Sequence, residues 1–400
     1  MQPPSPLPTS WAFPLREAYA RVGLLVPLGL LALAGGAWIQ HVRPELPSVY
    51  TWLQPYDTLK VIVQMNGVPS AVAFAYLLGA AARLELSGVR AWFASLRQIK
   101  LTPERRTPAL LRTLIGVVLV ALDVAFLPYH GPLDAIAVGV LGGLLAKPYP
   151  RAAWQRFVGH TACAVLLFTA VCYWFTVVKA LTFVNATQRD ANIVALEHAI
   201  TGIYPHRWVA AWASERPTWV EWFDWAYLRI FDHMAVTTAF LLGLRDLRQR
   251  TEYLAALAIC YLLGAPLYLL CPAAGPAYFD PAQFAFLREQ PLAVTYVQAA
   301  LYKNTVAVNE GHARFLSTWS YIACMPSLHM AHESVMLYYV RASKPALLIS
   351  TAFIVLTGVA VVALGWHYPT DIVGGFALAV FSIWLSRRQS ARLLPRFLSV

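Results

Sequence analysis

The chain has 400 residues, of which 58% are hydrophobic and 13% are charged, and its mean hydropathy is +0.54. Because a soluble globular protein carries about 25% charged residues, this composition excludes a soluble domain and predicts a polytopic membrane protein. The formal net charge of +11 does not indicate nucleic-acid binding, since the basic residues are concentrated in short loops between apolar runs, as the positive-inside rule describes. The expected partner is therefore the lipid bilayer, and no nucleic acid.

Apolar runs in the first part of the chain predict five membrane spans. The runs lie at about residues 22–40, 59–82, 109–129, 133–146 and 156–183. A helix needs roughly 20 apolar residues to cross a hydrocarbon core about 30 Å thick. The run at 133–146 is short for a crossing, and a re-entrant segment is the alternative there. The first run reads as an uncleaved signal-anchor.

The composition changes after residue 185. Residues 186–224 are polar and rich in tryptophan, including Trp208, Trp212, Trp219 and Trp222. Amphipathic rings of this kind sit at the depth of the lipid headgroups. The sequence therefore predicts three parts, which are an accessory transmembrane bundle at 1–185, an aromatic-rich interfacial segment at 186–224 and a C-terminal core at 225–400.

Five more apolar runs follow in the C-terminal part, at about 225–244, 252–270, 326–340, 345–364 and 372–385. Ten spans with both termini in the cytoplasm put about two thirds of the 31 Lys and Arg residues on the cytoplasmic side. The predicted fold class is an all-α, polytopic membrane helix bundle of about ten transmembrane helices. We expect it in the cell inner (plasma) membrane, with the loops 271–326 and 365–371 facing the periplasm or lumen.

Two short motifs flank the predicted span 345–364. Residues 326–329 read Pro-Ser-Leu-His, and residues 365–371 read Gly-Trp-His-Tyr-Pro-Thr-Asp. One crossing out and one back would place both motifs on the same face of the bilayer. Proline is favoured in the first turn of a helix, so Pro326 and Pro369 predict two helix N-termini. Their free N–H groups would together suit a phosphate.

The side chains in these motifs suit phosphoryl transfer. His367 and Asp371 are four residues apart, so the carboxylate can bond one ring nitrogen, fix the tautomer and raise the basicity of the other nitrogen. A nucleophilic imidazole requires this, while His329 is placed to donate a proton to a leaving oxygen. Ser327 either donates to the phosphate or caps its own helix. Tyr368 either packs or takes part in substrate binding.

Pro-Ser-x-His followed by His-Tyr-x-x-Asp resembles the second and third motifs of the type-2 phosphatidic acid phosphatase superfamily, and is closest to its inositol phosphorylceramide synthase-like branch. The resemblance covers roughly residues 196–386 and implies a six-helix-type phosphatase or phosphotransferase core. It implies that His367 attacks phosphorus to give a phosphohistidine, that Asp371 orients it and that His329 protonates the leaving group. A phosphoryl group or phospho-headgroup, such as phosphoinositol, would then pass from a lipid donor to a hydroxyl acceptor at the outer face.

Two features depart from the hydrolytic members of that superfamily. Their arginine six residues before the nucleophilic histidine corresponds to Val361, and their first motif, a lysine seven residues before Arg-Pro, is not recognisable. Residues 271–280 are instead Pro-rich, which resembles the ceramide-linked transferases. By topology, Lys303 and Arg314 are the nearest cations that could bind phosphate oxygens. These departures favour a phosphotransferase acting on a phospholipid or polyprenyl phosphate.

Other interpretations stay open. A lipid phosphate or polyprenyl pyrophosphate phosphatase is the alternative, with water as the acceptor. A lipid or solute transporter is a remote alternative, although transporters usually show inverted repeats and polar residues at mid-membrane. No cofactor or metal is expected, since the sequence shows neither a carboxylate cluster nor a His/Cys set at ligand spacing. Cys271 and Cys324 are predicted near the site as free thiols, with a disulfide as the alternative.

Overall fold

The structure is a computed structural model that describes residues 21–47, 167, 170–182, 188–244, 247–314, 316 and 321–398. The predicted spans 59–82, 109–129 and 133–146 lie outside these residues. Within the described residues the repetitive secondary structure is helical throughout, which confirms the all-α prediction. The chain forms two compact units, Met1–Pro55 with Ala162–Ile230 and Leu247–Val400, and Tyr56–Thr161 with Phe231–Asp246. The three-part division at residues 185 and 225 stays a prediction.

The described part of the chain contains eleven α-helices. They are α1 (Val26–Val42), α2 (Ala170–Leu181), α3 (Asp190–Thr201), α4 (Pro205–Ser214), α5 (Pro217–Leu244), α6 (Leu247–Leu270), α7 (Pro276–Phe279), α8 (Ala293–Asn309), α9 (Leu328–Val340), α10 (Lys344–Ala363) and α11 (Pro369–Leu398). A π-helical turn (Arg21–Leu25) precedes α1, and a 3₁₀ turn (Ala285–Glu289) lies between α7 and α8.

Four of the described segments are long and apolar enough to cross a membrane. They are Gly23–Val42, Arg248–Leu270, Ala346–Ala363 and Pro369–Arg392, and each overlaps a predicted span. Helix α9 has 13 residues, about 20 Å at 1.5 Å per residue, and is therefore shorter than the roughly 30 Å hydrocarbon core. The apolar helices make this a membrane protein, while the total of about ten spans stays a prediction.

Helix α6 is the central helix of the larger unit. Residues 251–262 are buried in an unbroken run, as expected of a helix that is enclosed on all sides. Helices α9 and α11 both pack on α6 and on each other, and α10 packs on α9. This arrangement brings the start of α9 against the start of α11.

Two glycines allow the helices to approach closely at the start of α9. A Cβ atom on Gly375 of α11 would lie 2.4 Å from the backbone oxygen of Ser327, and one on Gly264 of α6 would lie 2.6 Å from Leu328 Cδ2. Real Cβ atoms do not come this close to a carbonyl oxygen. Gly375 therefore sets how near the second turn of α11 can come to the residue that precedes α9.

We expect Gly375→Ala to lower the free energy of unfolding of the detergent-solubilised protein by about 1–3 kcal/mol, because the added methyl group would clash with the backbone oxygen of Ser327. The melting temperature should fall accordingly. Phosphotransfer activity should fall with it. Gly358→Ala in α10 is the matched control, since its methyl group would meet only the flexible end of Met330, at 3.5 Å. That control should be neutral or stabilising by up to about 1 kcal/mol, because alanine favours a helix. Equal melting temperatures for the two variants would contradict the close-packing role of Gly375.

Candidate active site

The structure brings the side chains of the two predicted catalytic histidines, His329 and His367, into contact. His329 is the second residue of α9, and His367 precedes α11 by two residues. Nδ1 of His329 lies 3.2 Å from Nε2 of His367, and the two ring centroids are 5.5 Å apart. Helix α10 joins the two motifs and returns the chain to the side from which α9 departs. The pairing therefore follows from one helical passage out and one back.

Asp371 contacts the far side of the His367 ring. Its Oδ2 lies 3.3 Å from Nδ1 of His367 and accepts the backbone N–H of Tyr368 at 2.8 Å. Asp371 is fully buried and lies in the first turn of α11, where the helix dipole stabilises a carboxylate. A hydrogen on Nδ1 of His367 directed at this carboxylate leaves the lone pair on Nε2. Nε2 is the atom that faces His329.

Ser327 caps α9. Its hydroxyl accepts the backbone N–H of Met330 at 3.4 Å, and its own N–H donates to the backbone oxygen of Asp371 at 2.9 Å. Of the two predicted roles for this serine, the structure shows the capping role. The predicted helix start at Pro326 is wrong by two residues, because the capping serine precedes the first helical residue and Pro326 stands before the cap. The predicted start of α11 at Pro369 is confirmed.

Helix α3 contributes a buried carboxylate that the sequence analysis did not identify. Asp190 accepts the backbone N–H groups of Ala274 and Gly275, both at 2.9 Å, and the hydroxyl of Tyr368 at 3.0 Å. Burial raises the pKa of this carboxyl group, and the hydrogen bonds oppose the rise. Asp190 thereby ties the Pro-rich loop to the residue that follows His367.

A second carboxylate of α3 caps α11. Glu197 accepts both the backbone N–H and the hydroxyl of Thr370 at 2.9 Å. Burial raises the pKa of Glu197, and the nearby charge of Asp371 adds to that rise. Asp190 and Glu197 are seven residues apart on one helix face that also carries the buried Ile193. Two acids at this spacing around an apolar residue are the sequence signal that could have identified them.

Aromatic residues enclose the histidine pair. The ring of Tyr227 on α5 packs edge-on against His329, with centroids 5.5 Å apart, and stacks on Trp366 at 5.2 Å. Tyr368 is fully buried and packs edge-on against His206. The hydroxyl of Tyr368 donates to Asp190, and substrate binding by Tyr368 stays a prediction.

The Pro-rich loop 271–280 is threaded between the two motifs. Ala277 N–H donates to the carbonyl of Gly365 at 2.9 Å, and Cys324 N–H donates to that of Ala273 at 3.2 Å. Gly275 has a φ of +96°, and a Cβ atom there would lie 2.7 Å from the Trp366 oxygen. Only glycine fits this conformation and this close approach. The loop is thus a structural part of the site.

The predicted free thiols are confirmed. Cys271 and Cys324 are both free, and burial raises the pKa of each thiol. Both thiols therefore stay protonated near neutral pH, which disfavours oxidation to a disulfide.

The predicted phosphate-binding cations do not lie against the histidines. Lys303 on α8 and Arg314 in the following loop are both exposed, and among the described contacts neither touches His329 or His367. Val361, at the position of the superfamily arginine, is fully buried in an apolar cluster with Leu364 and Trp366. Binding of phosphate by Lys303 and Arg314 stays a prediction.

We expect Asp190→Ala to destabilise the protein by at least about 2 kcal/mol, because it leaves two backbone N–H groups and one hydroxyl without their acceptor. Tyr368→Phe removes only one of these donors and should cost about 1 kcal/mol. Thermal unfolding in detergent measures both. A Tyr368→Phe variant that is less stable than Asp190→Ala would show that the tether does not depend on this carboxylate.

His206 predicts a pH dependence of stability. This imidazole is fully buried, and among the described residues neither ring nitrogen has a hydrogen-bond partner. Burial lowers its pKa from the ordinary value of 6.5, and the charge of Arg207 contributes. The unfolded chain therefore binds a proton that the folded chain excludes, so stability falls as the pH drops below about 6.5.

Melting temperatures between pH 7.5 and pH 5.5 test this expectation. The wild type should lose stability as the pH falls, and His206→Phe should lose less, because phenylalanine keeps the ring contact with Tyr368 and cannot be protonated. The difference between the two profiles isolates His206 from the carboxylates that titrate in the same range. Parallel profiles would show that His206 does not sense pH.

Residues 191–385 match the family model described as the PAP2 superfamily. Comparisons with curated proteins and with solved structures gave no significant match. The matched segment contains both histidine motifs, the Pro-rich loop and Glu197. It supports the type-2 phosphatidic acid phosphatase superfamily for this part of the chain, and with it a phosphatase or phosphotransferase enzyme.

Proposed function

We propose, from the PAP2-superfamily match over residues 191–385, that the protein is a membrane lipid phosphotransferase that works through a phosphohistidine on His367. The observation that carries the proposal is the linear arrangement of three side chains. Asp371 Oδ2 lies 3.3 Å from His367 Nδ1, and His367 Nε2 lies 3.2 Å from His329 Nδ1. This series pairs a carboxylate-oriented imidazole with a second imidazole that can carry a proton.

In the first step, Nε2 of His367 attacks the phosphorus of a lipid phosphoester. A P–N bond forms while the P–O bond to the leaving alcohol breaks, and His329 gives the proton on Nδ1 to the departing oxygen. Attack and departure are in line, so the two nitrogens must lie on opposite sides of the phosphorus. The direct contact of 3.2 Å leaves no room for that, and the ring of His329 must swing away when the ester binds.

In the second step, the acceptor hydroxyl gives its proton to His329. The acceptor oxygen forms a new P–O bond as the P–N bond to His367 breaks, which restores both imidazoles. A lipid or sugar alcohol as acceptor makes the enzyme a transferase, and water makes it a phosphatase. The dipoles at the starts of α9 and α11 add partial positive charge, which favours an anion near the histidine pair.

The charge around the histidines favours a phosphodiester as the donor. A phosphodiester carries one negative charge, whereas a phosphomonoester carries up to two. The position of the superfamily arginine holds Val361, which is fully buried among apolar side chains. Without that arginine, the site has one cation fewer than the sites of the hydrolytic superfamily members, so it neutralises one negative charge on the phosphate better than two. We therefore favour as donor a phospholipid whose phosphate also carries a headgroup. The distribution of Lys and Arg in the sequence supports an active site at the outer face.

We expect His367→Ala to abolish transfer and His329→Ala to lower the rate by about 10²–10⁴-fold, the usual contribution of a general acid. Asp371→Asn should give a loss of similar size, because it removes the charge that stabilises the imidazolium. The assay uses purified protein in vesicles of ³²P-labelled phospholipid with a lipid alcohol, and separates labelled lipid product from inorganic or headgroup phosphate. His198→Gln, an exposed imidazole on α3, is the control and should keep full activity.

The same labelled vesicles test the covalent intermediate. Wild-type protein denatured in alkali should retain label, because a phosphohistidine survives base, and His367→Ala should retain none. Label that persists in His367→Ala would assign the nucleophile to another residue. Product appearing only as phosphate released to water, with no labelled lipid, would make the enzyme a phosphatase and would overturn the transferase proposal.

A further inference from the structure

Lys179 is a half-buried ammonium group that has no acidic partner among the residues the structure describes. It lies in the last turn of α2, with Nζ 5.4 Å from the centroid of the Phe175 ring and 6.0 Å from that of Tyr268. No carboxylate within the described residues forms an ion pair with it. Aromatic faces offset part of the cost of removing a cation from water, but a buried cation is fully compensated only by an anion.

Lys179 faces the part of α6 that packs on the start of α9. Tyr268, whose ring it faces, lies one turn along α6 from Gly264, which packs closely against the side chain of Leu328, the residue before His329. The charge of Lys179 also acts on His329 directly and on the Cys324 thiol, which lies beside Asp371. Lys179 therefore approaches the site from the side where α9 begins.

The electrostatic requirements of the site point to a missing cation. Three buried carboxylates, Asp190, Glu197 and Asp371, lie around the two helix starts and repel an anion. The helix N-termini carry only partial positive charge. Lys303 and Arg314 are exposed and do not touch the histidines, and Arg189 is an exposed residue near Cys271. Lys179 is the half-buried cation of the described residues whose charge reaches His329.

We propose that Lys179 binds the phosphoryl oxygens of the substrate at the histidine pair and stabilises the charge that develops there. A helix that precedes the PAP2-matched segment 191–385 would thus complete the active site. The ammonium is a single point charge with donors that rotate freely, which suits one anionic phosphodiester. The catalytic part of this inference rests on the proposed function, while the anion-binding part can be measured without turnover.

The binding test uses the full chain in detergent and inorganic phosphate as the probe, with tryptophan fluorescence as readout, since Trp366 stacks on Tyr227 beside His329. Lys179→Met should weaken phosphate binding by about ten- to a hundredfold, the usual effect of losing a charged hydrogen bond. Lys179→Arg should recover part of the affinity. Lys344→Met, at the exposed start of α10, is the control and should bind as the wild type does.

Stability separates a binding role from a structural role. Removing an unpaired cation that serves only the ligand should leave Lys179→Met at least as stable as the wild type, and Lys179→Gln provides a second, polar replacement. A clear loss of melting temperature in both variants would assign Lys179 to the fold and overturn the proposal. The proposal would also be overturned if Lys179→Met bound phosphate as tightly as the wild type. The same holds if Lys344→Met lost as much phosphate affinity, or if only Arg189→Gln lost phosphate affinity.

The kinetic test distinguishes failure of this inference from failure of the proposed function. In the phospholipid assay, Lys179→Met should lower kcat/KM while label still accumulates on the protein, more slowly. His367→Ala should keep phosphate binding and lose the label. If the wild type transfers nothing from any lipid, the proposed function fails, and the phosphate titration still decides the role of Lys179.

Discussion

The site depends on the contact between two helix starts. The N–H of Ser327 donates to the backbone oxygen of Asp371 in the first turn of α11, and Gly375 lets the second turn of α11 lie directly against the cap of α9. This contact is between backbone atoms, so it holds the two motifs side by side independently of their side chains. His329 and His367 then meet because each is within two residues of the helix start that carries it. Local capping and helix packing together produce the chemical pair.

Helix α3 holds this arrangement in place from outside. Asp190 accepts from the Pro-rich loop and from Tyr368, and Glu197 caps α11 through Thr370. Each carboxylate joins segments that are far apart in the chain, so hydrogen bonds connect the loop, the second histidine motif and α11 to α3. Burial raises the pKa of both acids, which shows that their placement has an electrostatic cost. An anionic substrate beside these carboxylates then needs a compensating cation. We propose that Lys179 is this cation.

The tryptophan-rich segment has both exposed rings and residues that pack on the site. Trp208, Trp219, Trp222 and Trp225 are all about half exposed or more, as rings at headgroup depth would be. The same helices contribute buried residues to the site, since Tyr227 of α5 packs on His329 and His206 of α4 packs on Tyr368. One stretch of chain therefore carries exposed tryptophans on one side and packs on the histidine pair with the other.

The amino-acid sequence by itself determined the class of protein and the chemistry of its central residues. Low charge and long apolar runs allow only a membrane protein, and a helical run between the two motifs must bring their histidines to one side. His367 and Asp371 contact each other because four residues span one helical turn, which is local geometry. The tertiary structure alone decided what surrounds them.

Asp190, Glu197 and Lys179 come from helices far from the motifs in the chain, and Ser327 serves as a cap because α9 begins two residues later than proline placement suggests. Short-range periodicity carries no information about such partners. Such partners depend on which buried hydrogen-bond donors and charges still lack a partner after the helices have packed.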